Sequence, residues 1–183
     1  TEGCRSLQKA FELVADIAKR VVTIVVAAST TEAGVIDGDE AVEAATKLAN
    51  ELFDDAKPLI GEGIEHTEGP VSMSPHRLCR YIHNSTFEVF RAHTDSTFIT
   101  AVPVASVAGL EVYDDAAERW YRPELAVQND RNLVVFMPGE LLQIASRDEV
   151  QATVHRVIAN NENPRLSAPI LFRGRPGTVW DCD

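Results

Sequence analysis

Residues 155–167 read His155-Arg156-Val157-Ile158-Ala159-Asn160-Asn161-Glu162-Asn163-Pro164-Arg165-Leu166-Ser167. The stretch begins with a possible metal ligand on a β-branched run (Thr153, Val154, Val157, Ile158), turns through an Asn/Glu/Pro cluster, and re-enters a strand at Arg165. Strand side chains alternate faces, so Arg165 and Ser167 share one face and Leu166 takes the other. A guanidinium and a hydroxyl on one face can jointly hold a carboxylate, the guanidinium in a two-pronged grip. A strand–turn–strand unit carrying a metal ligand and a carboxylate anchor therefore sets the expectation of a β-rich, ligand-binding domain.

Working outward, the region after Pro70 has the texture of short β-runs separated by turns. Candidates are 76–83, 87–92, 97–104, 109–113, 132–136, 140–145, 151–159 and 165–172. Short strands without intervening helices predict an antiparallel sandwich, barrel or jelly roll. The N-terminal part differs. From Ser6, a plausible N-cap, to about Ala28 there is no Gly or Pro, and Leu7, Phe11, Val14, Ile17, Ala18, Val21 and Val25 recur at helical spacing. A second helix is expected from Asp39 to about Ala56, with acidic residues in its first turn, and 57–70 reads as a loop. Helices first and strands afterwards give an α+β, mainly β chain, a single domain over 1–183 with helical support in 1–60 and a β core in 71–175.

The 183 residues are enough to bury a core without disulfides. A net charge of −11 argues against nucleic acid or an anionic membrane as partner, because phosphate binding needs a basic face. Cys4, Cys79 and Cys182 are scattered and odd in number, the pattern of reduced thiols in a cytoplasmic setting. The longest apolar run, residues 21–28, is too short to span a bilayer. Asn84-Ser85-Thr86 matches a glycosylation acceptor, read here as coincidence.

His93-Thr94-Asp95 supplies the partners that His155 needs. On one strand, residues i and i+2 share a face, so His93 and Asp95 could bind a metal together and His155 would complete a two-His, one-carboxylate set. Such a set leaves open positions on non-haem Fe(II) for a bidentate co-substrate and O₂, although Co²⁺, Ni²⁺ or Zn²⁺ would outcompete iron for the bare ligands in vitro. Taken singly, each of these residues is more often structural. It is their order, His-x-Asp, a distant His, then Arg-x-Ser ten residues on, that carries the reading.

With these residues the chain resembles the Fe(II)- and 2-oxoglutarate-dependent oxygenases, in their plant-type, isopenicillin N synthase-like branch. Further likeness lies in Phe98-Ile99-Thr100, Val107-Ala108-Gly109-Leu110-Glu111-Val112, Trp120, the run from Leu133 through Pro138-Gly139-Glu140 to Ser146, and Arg165-Leu166-Ser167-Ala168-Pro169. The resemblance implies a double-stranded β-helix, a jelly roll with iron in its mouth and N-terminal helices supporting it. It implies His93, Asp95 and His155 as iron ligands, and Arg165 and Ser167 as the anchor for the far carboxylate of 2-oxoglutarate. Tyr81 stands where a co-substrate-contacting tyrosine is usual. The implied reaction hydroxylates a small molecule with O₂ and releases succinate and CO₂. Leu110, Val112, Leu133, Ile170 and Phe172 are expected to line the pocket. The chain departs from the family at Cys79, where Asn is common, and at Ile82-His83-Asn84, where a Pro-rich stretch is common; the family's usual N-terminal region has no counterpart. The alternatives are a non-catalytic jelly-roll binding protein and a metal enzyme of the same fold that does not use 2-oxoglutarate. His66, His76 and His83 receive no role.

Overall fold

A computed structural model of the chain describes residues 2–32, 38–52, 74–82, 88–127, 132–159 and 163–175. Two long helices, α1 (Glu2–Glu32) and α2 (Gly38–Leu52), precede β1 (Cys79–Tyr81), β2 (Glu88–His93), β3 (Ile99–Pro103), β4 (Leu110–Asp114) and β5 (Arg119–Tyr121). There follow α3 (Pro123–Ala126), β6 (Val134–Pro138), α4 (Glu140–Ala145), β7 (His155–Ile158), β8 (Arg165–Ser167) and β9 (Ile170–Phe172). The strands pair antiparallel in three sheets, ordered β2-β7-β4-β5, β6-β3-β9 and β1-β8. This is the expected jelly-roll architecture, with the helices as its support. The expected 57–70 loop and the Asn84-Ser85-Thr86 motif lie outside the described residues.

The β6-β3-β9 sheet is a partition buried on both sides. Ile99 and Ala101 of β3, Val134 and Phe136 of β6, and Ile170 and Phe172 of β9 pack with Phe11, Ala18, Val22 and Val26 of α1 in one apolar cluster. The alternate residues Val102, Val135 and Met137 form a second cluster with Leu110 and Val112 on the other side. Period-two alternation in which both faces are apolar gives the near-continuous hydrophobic run seen in β3. Packing against this partition also explains why α1 stays helical through its β-branched end: Val22 and Val26 are buried there, so tertiary burial outweighs their weak local preference. The helix begins four residues before the expected cap at Ser6.

Two expectations need correction. Residues 140–145 form helix α4, not a strand. Their apolar residues fall on both parities of a strand, and in the fold Leu142 alone is fully buried, with Leu141 and Ala145 partly so, a helical i, i+1, i+4 stripe. The first turn is held from outside, where Glu140 and Leu141 donate backbone N–H groups to the carbonyls of Asp95 and Thr97. Residues 165–172 are two strands in different sheets, broken at Ala168-Pro169. Strand β5 and the short helix α3, started by a proline at N1, were not anticipated.

Candidate metal and carboxylate site

Two strand pairings build the site. β2 and β7 meet so that His93 stands directly opposite His155. Their rings lie 4.3 Å apart, centroid to centroid. Asp95 is not on the strand with His93, as the i, i+2 argument assumed; it lies in the turn after β2 ends. That turn nevertheless brings its carboxylate back to both rings, with Oδ1 3.5 Å from His93 Nε2 and Oδ2 3.6 Å from His155 Nε2. One ligand atom from each of the three residues falls within 4.8 Å of the others, a grouping able to hold a metal ion.

The hydrogen bonds decide which ring nitrogens are available. His93 Nδ1 meets the Arg91 carbonyl at 2.8 Å, and His155 Nδ1 meets the Thr153 carbonyl at 3.0 Å. A carbonyl only accepts, so each Nδ1 carries a hydrogen, and Nε2, turned toward Asp95, is the ring nitrogen each histidine can offer a metal. Burial lowers the pKa of His155; the Thr153 bond and Asp95 act the other way and do not overcome it, so its ring is neutral, as a ligand must be. Asp95 is oriented in turn by Thr100, whose hydroxyl donates to Oδ2 at 2.6 Å. Thr94 bonds Glu140 at the start of α4. Gly139 admits no side chain, because a Cβ there would lie 2.3 Å from the Thr97 carbonyl oxygen.

The second pairing is β1 with β8, in the register Cys79↔Ser167, Arg80↔Leu166, Tyr81↔Arg165. Arg165 and Ser167 are buried and Leu166 is exposed, the alternation read from the sequence. Tyr81 and Arg165 are cross-strand neighbours, with the guanidinium 5.5 Å from the ring centroid. Burial, with the Cys79 thiol beside it, pushes the Tyr81 phenol up to about 12 despite Arg165, leaving it a protonated donor. One cavity is bordered by His93, Asp95, His155, Tyr81, Arg165 and Ser167, so all six candidate residues come to the same space. Its apolar wall includes Leu110, as expected, together with Phe90, Val102, Met137, Val157 and Leu171. Ile170 and Phe172 instead face the helices, and Leu133 is exposed; a one-residue difference along β9 separates Leu171 from its neighbours' apolar core.

Sequence reasoning missed Glu124. Its Oε1 accepts from Arg165 Nη2 at 2.7 Å, and both side chains are almost fully buried. Its other bonds are to backbone N–H groups fourteen to nineteen residues back, which no local pattern reveals. Thr100 was quoted only as part of a likeness, with no role. His76 bridges to Ile170, and burial lowers its pKa; His66 and His83 lie outside the described residues. No helix among the described residues is long and apolar enough to cross a membrane.

Comparison with known proteins adds the family and the fold. The family model described as the 2OG-Fe(II) oxygenase superfamily matches residues 72–174. DMR6-LIKE OXYGENASE 1 of Arabidopsis thaliana is 34% identical over 80 residues, 44% of this chain and 21% of that protein. The 2-oxoglutarate-Fe(II) type oxidoreductase hxnY of Emericella nidulans is 34% identical over 91 residues, 50% of this chain and 25% of that one. The chain thus spans about a quarter or less of these relatives. A Shewanella oneidensis protein described as an oxygenase superposes with a TM-score of 0.64 at 20% identity, over 94% of this chain and 57% of its own, and shares the fold.

Proposed function

The chain belongs to the 2OG-Fe(II) oxygenase superfamily, and from that premise we propose that it is a 2-oxoglutarate-dependent dioxygenase that hydroxylates a small molecule. The observation that carries this reading is the convergence of two imidazole Nε2 atoms and one carboxylate, with both Nδ1 atoms already committed to backbone carbonyls. Two imidazoles and a carboxylate with open positions beyond them suit Fe(II). When bound, iron and 2-oxoglutarate supply the oxidising chemistry, in which O₂ is consumed, the co-substrate leaves as succinate and CO₂, and the substrate gains a hydroxyl.

The residues have the following parts. His93, Asp95 and His155 hold the iron, and Thr100 keeps Asp95 from rotating. Arg165, Ser167 and Tyr81 hold the far carboxylate of 2-oxoglutarate. Arg165 fits that part because it borders the cavity beside Tyr81 and Ser167, a cation with a hydroxyl and a phenol next to it. Phe90, Val102, Leu110, Met137 and Leu171 keep the space between these ends dry, which strengthens each charged contact. The free Cys79 thiol suits a cytoplasmic setting.

The test is spectroscopic. Fe(II) and 2-oxoglutarate mixed anaerobically with the protein should give a visible metal-to-ligand charge-transfer band. The band should vanish in His93→Ala, and Arg165→Ala should need far more 2-oxoglutarate to reach it. A wild-type protein with no band at any concentration of either component would refute the assignment.

A further inference from the structure

Glu124, in the first turn of α3, is 2% exposed and has no part in the reaction as described above. Its Oε2 accepts the backbone N–H groups of Gly109 at 2.8 Å and Leu110 at 2.9 Å. Its Oε1 accepts Arg165 Nη2 at 2.7 Å and, more distantly, the Ala105 N–H at 3.3 Å. The carboxylate is thus nailed to the 105–110 backbone and cannot follow the arginine if the arginine moves. Gly109 lies against the arginine stem, since a Cβ there would come 2.7 Å from Arg165 Cδ. Backbone on one side and a fixed carboxylate on the other leave the guanidinium one orientation. Arg165 still borders the cavity with Tyr81 and Ser167, and its Nε remains without a partner. An arginine has several rotatable bonds, and a site that must order them on binding gives up affinity.

The geometry points to Glu124 as a positioning residue that presets Arg165, and through it the preference for an oxo acid bearing a second carboxylate over one that lacks it. This rests on the proposed part of Arg165 as the co-substrate anchor. An opposing effect has to be weighed: Glu124 is negative, and its charge cancels part of the attraction of Arg165 for an anion. If charge cancellation dominated, removing it would tighten binding. A carboxylate held by several backbone donors is built for placement, so loss of placement should win.

The test uses the full chain with Fe(II) under anaerobic conditions and follows the charge-transfer band with 2-oxoglutarate and with 2-oxobutyrate, which lacks the second carboxylate. Fe(II) affinity is measured alongside. Glu124→Gln should weaken 2-oxoglutarate binding about tenfold or more, leave 2-oxobutyrate and Fe(II) binding within about twofold, and so collapse the ratio between the two acids. Glu124→Asp, which keeps the charge but is one methylene shorter, should fall between. If Glu124→Gln does not fold by circular dichroism, Glu124→Asp decides by the same ratio. An unchanged ratio, or tighter 2-oxoglutarate binding, with a normal wild-type band overturns this inference alone. No wild-type band overturns the oxygenase reading and this inference with it.

Discussion

The two ends of the cavity are built on opposite electrostatic plans. At the His93–Asp95–His155 end, two imidazoles and a carboxylate face one another at 3.5–3.6 Å, a grouping able to hold a metal ion. At the Arg165 end the protein supplies both charges itself, a guanidinium and a carboxylate 2.7 Å apart and 2% and 1% exposed. The first end is a grouping that an added cation could join. The second is already neutral, and a buried pair of this kind, though costly to desolvate, is more costly to break by removing one partner. Binding chemistry and folding stability should therefore separate along the length of one pocket.

The largest effect should come from breaking the pair. Arg165→Leu leaves Glu124 buried without its counter-charge, and chemical denaturation should show a loss of about 3–5 kcal/mol. Asp95→Asn in the metal-free protein should change stability by less than about 1 kcal/mol while abolishing Fe(II) binding, measured by metal titration. Equal stability losses at the two ends would break the comparison. Thr100→Val, which removes the donor to Asp95 but nearly preserves shape, should weaken Fe(II) binding by about 10–100-fold.

The smallest effect on the cavity itself lies on the other face of β4, where Glu111 accepts from Arg122 and Arg156, and Arg156 also reaches Glu88 and lies over Trp120. Burial alone would raise the Glu111 carboxyl, but the two arginines outweigh it and hold it below its ordinary value of 4.5. The unfolded chain therefore takes up the proton first as the pH falls. The stabilisation is fully present above that ordinary value and is lost as acid carries the pH down through the folded value. Glu111→Gln should lower stability by about 1–2 kcal/mol at neutral pH and flatten the acid limb of a pH–stability curve, without altering the charge-transfer band.

What the sequence could reveal follows from the range of each interaction. The shared face of Arg165 and Ser167 is a local, period-two property and needs no tertiary information. The helix of 38–52 and most of α1 were legible from apolar spacing for the same reason. Residues 140–145 were not, because six residues with apolar positions on both parities satisfy a strand and a helix alike, and the backbone bonds that choose the helix come from 95 and 97. Glu124 was invisible because a glutamate after proline looks like a solvated helix start; its burial depends on three amides and a guanidinium brought in by other segments. Asp95 reached the rings by a turn, where alternation was the assumed route.

The partition sheet has a consequence for how the molecule can fail. Neighbouring residues of β3 serve two different compartments: Ile99 and Ala101 fill the floor under α1, while Thr100 steadies Asp95. A one-residue slip of β3 against β6 and β9 would drive a hydroxyl into the apolar floor and set a hydrocarbon side chain beside the aspartate. A slipped chain would thus lose the grouping of His93, Asp95 and His155 that could hold a metal ion, and the register of one strand decides whether that grouping forms.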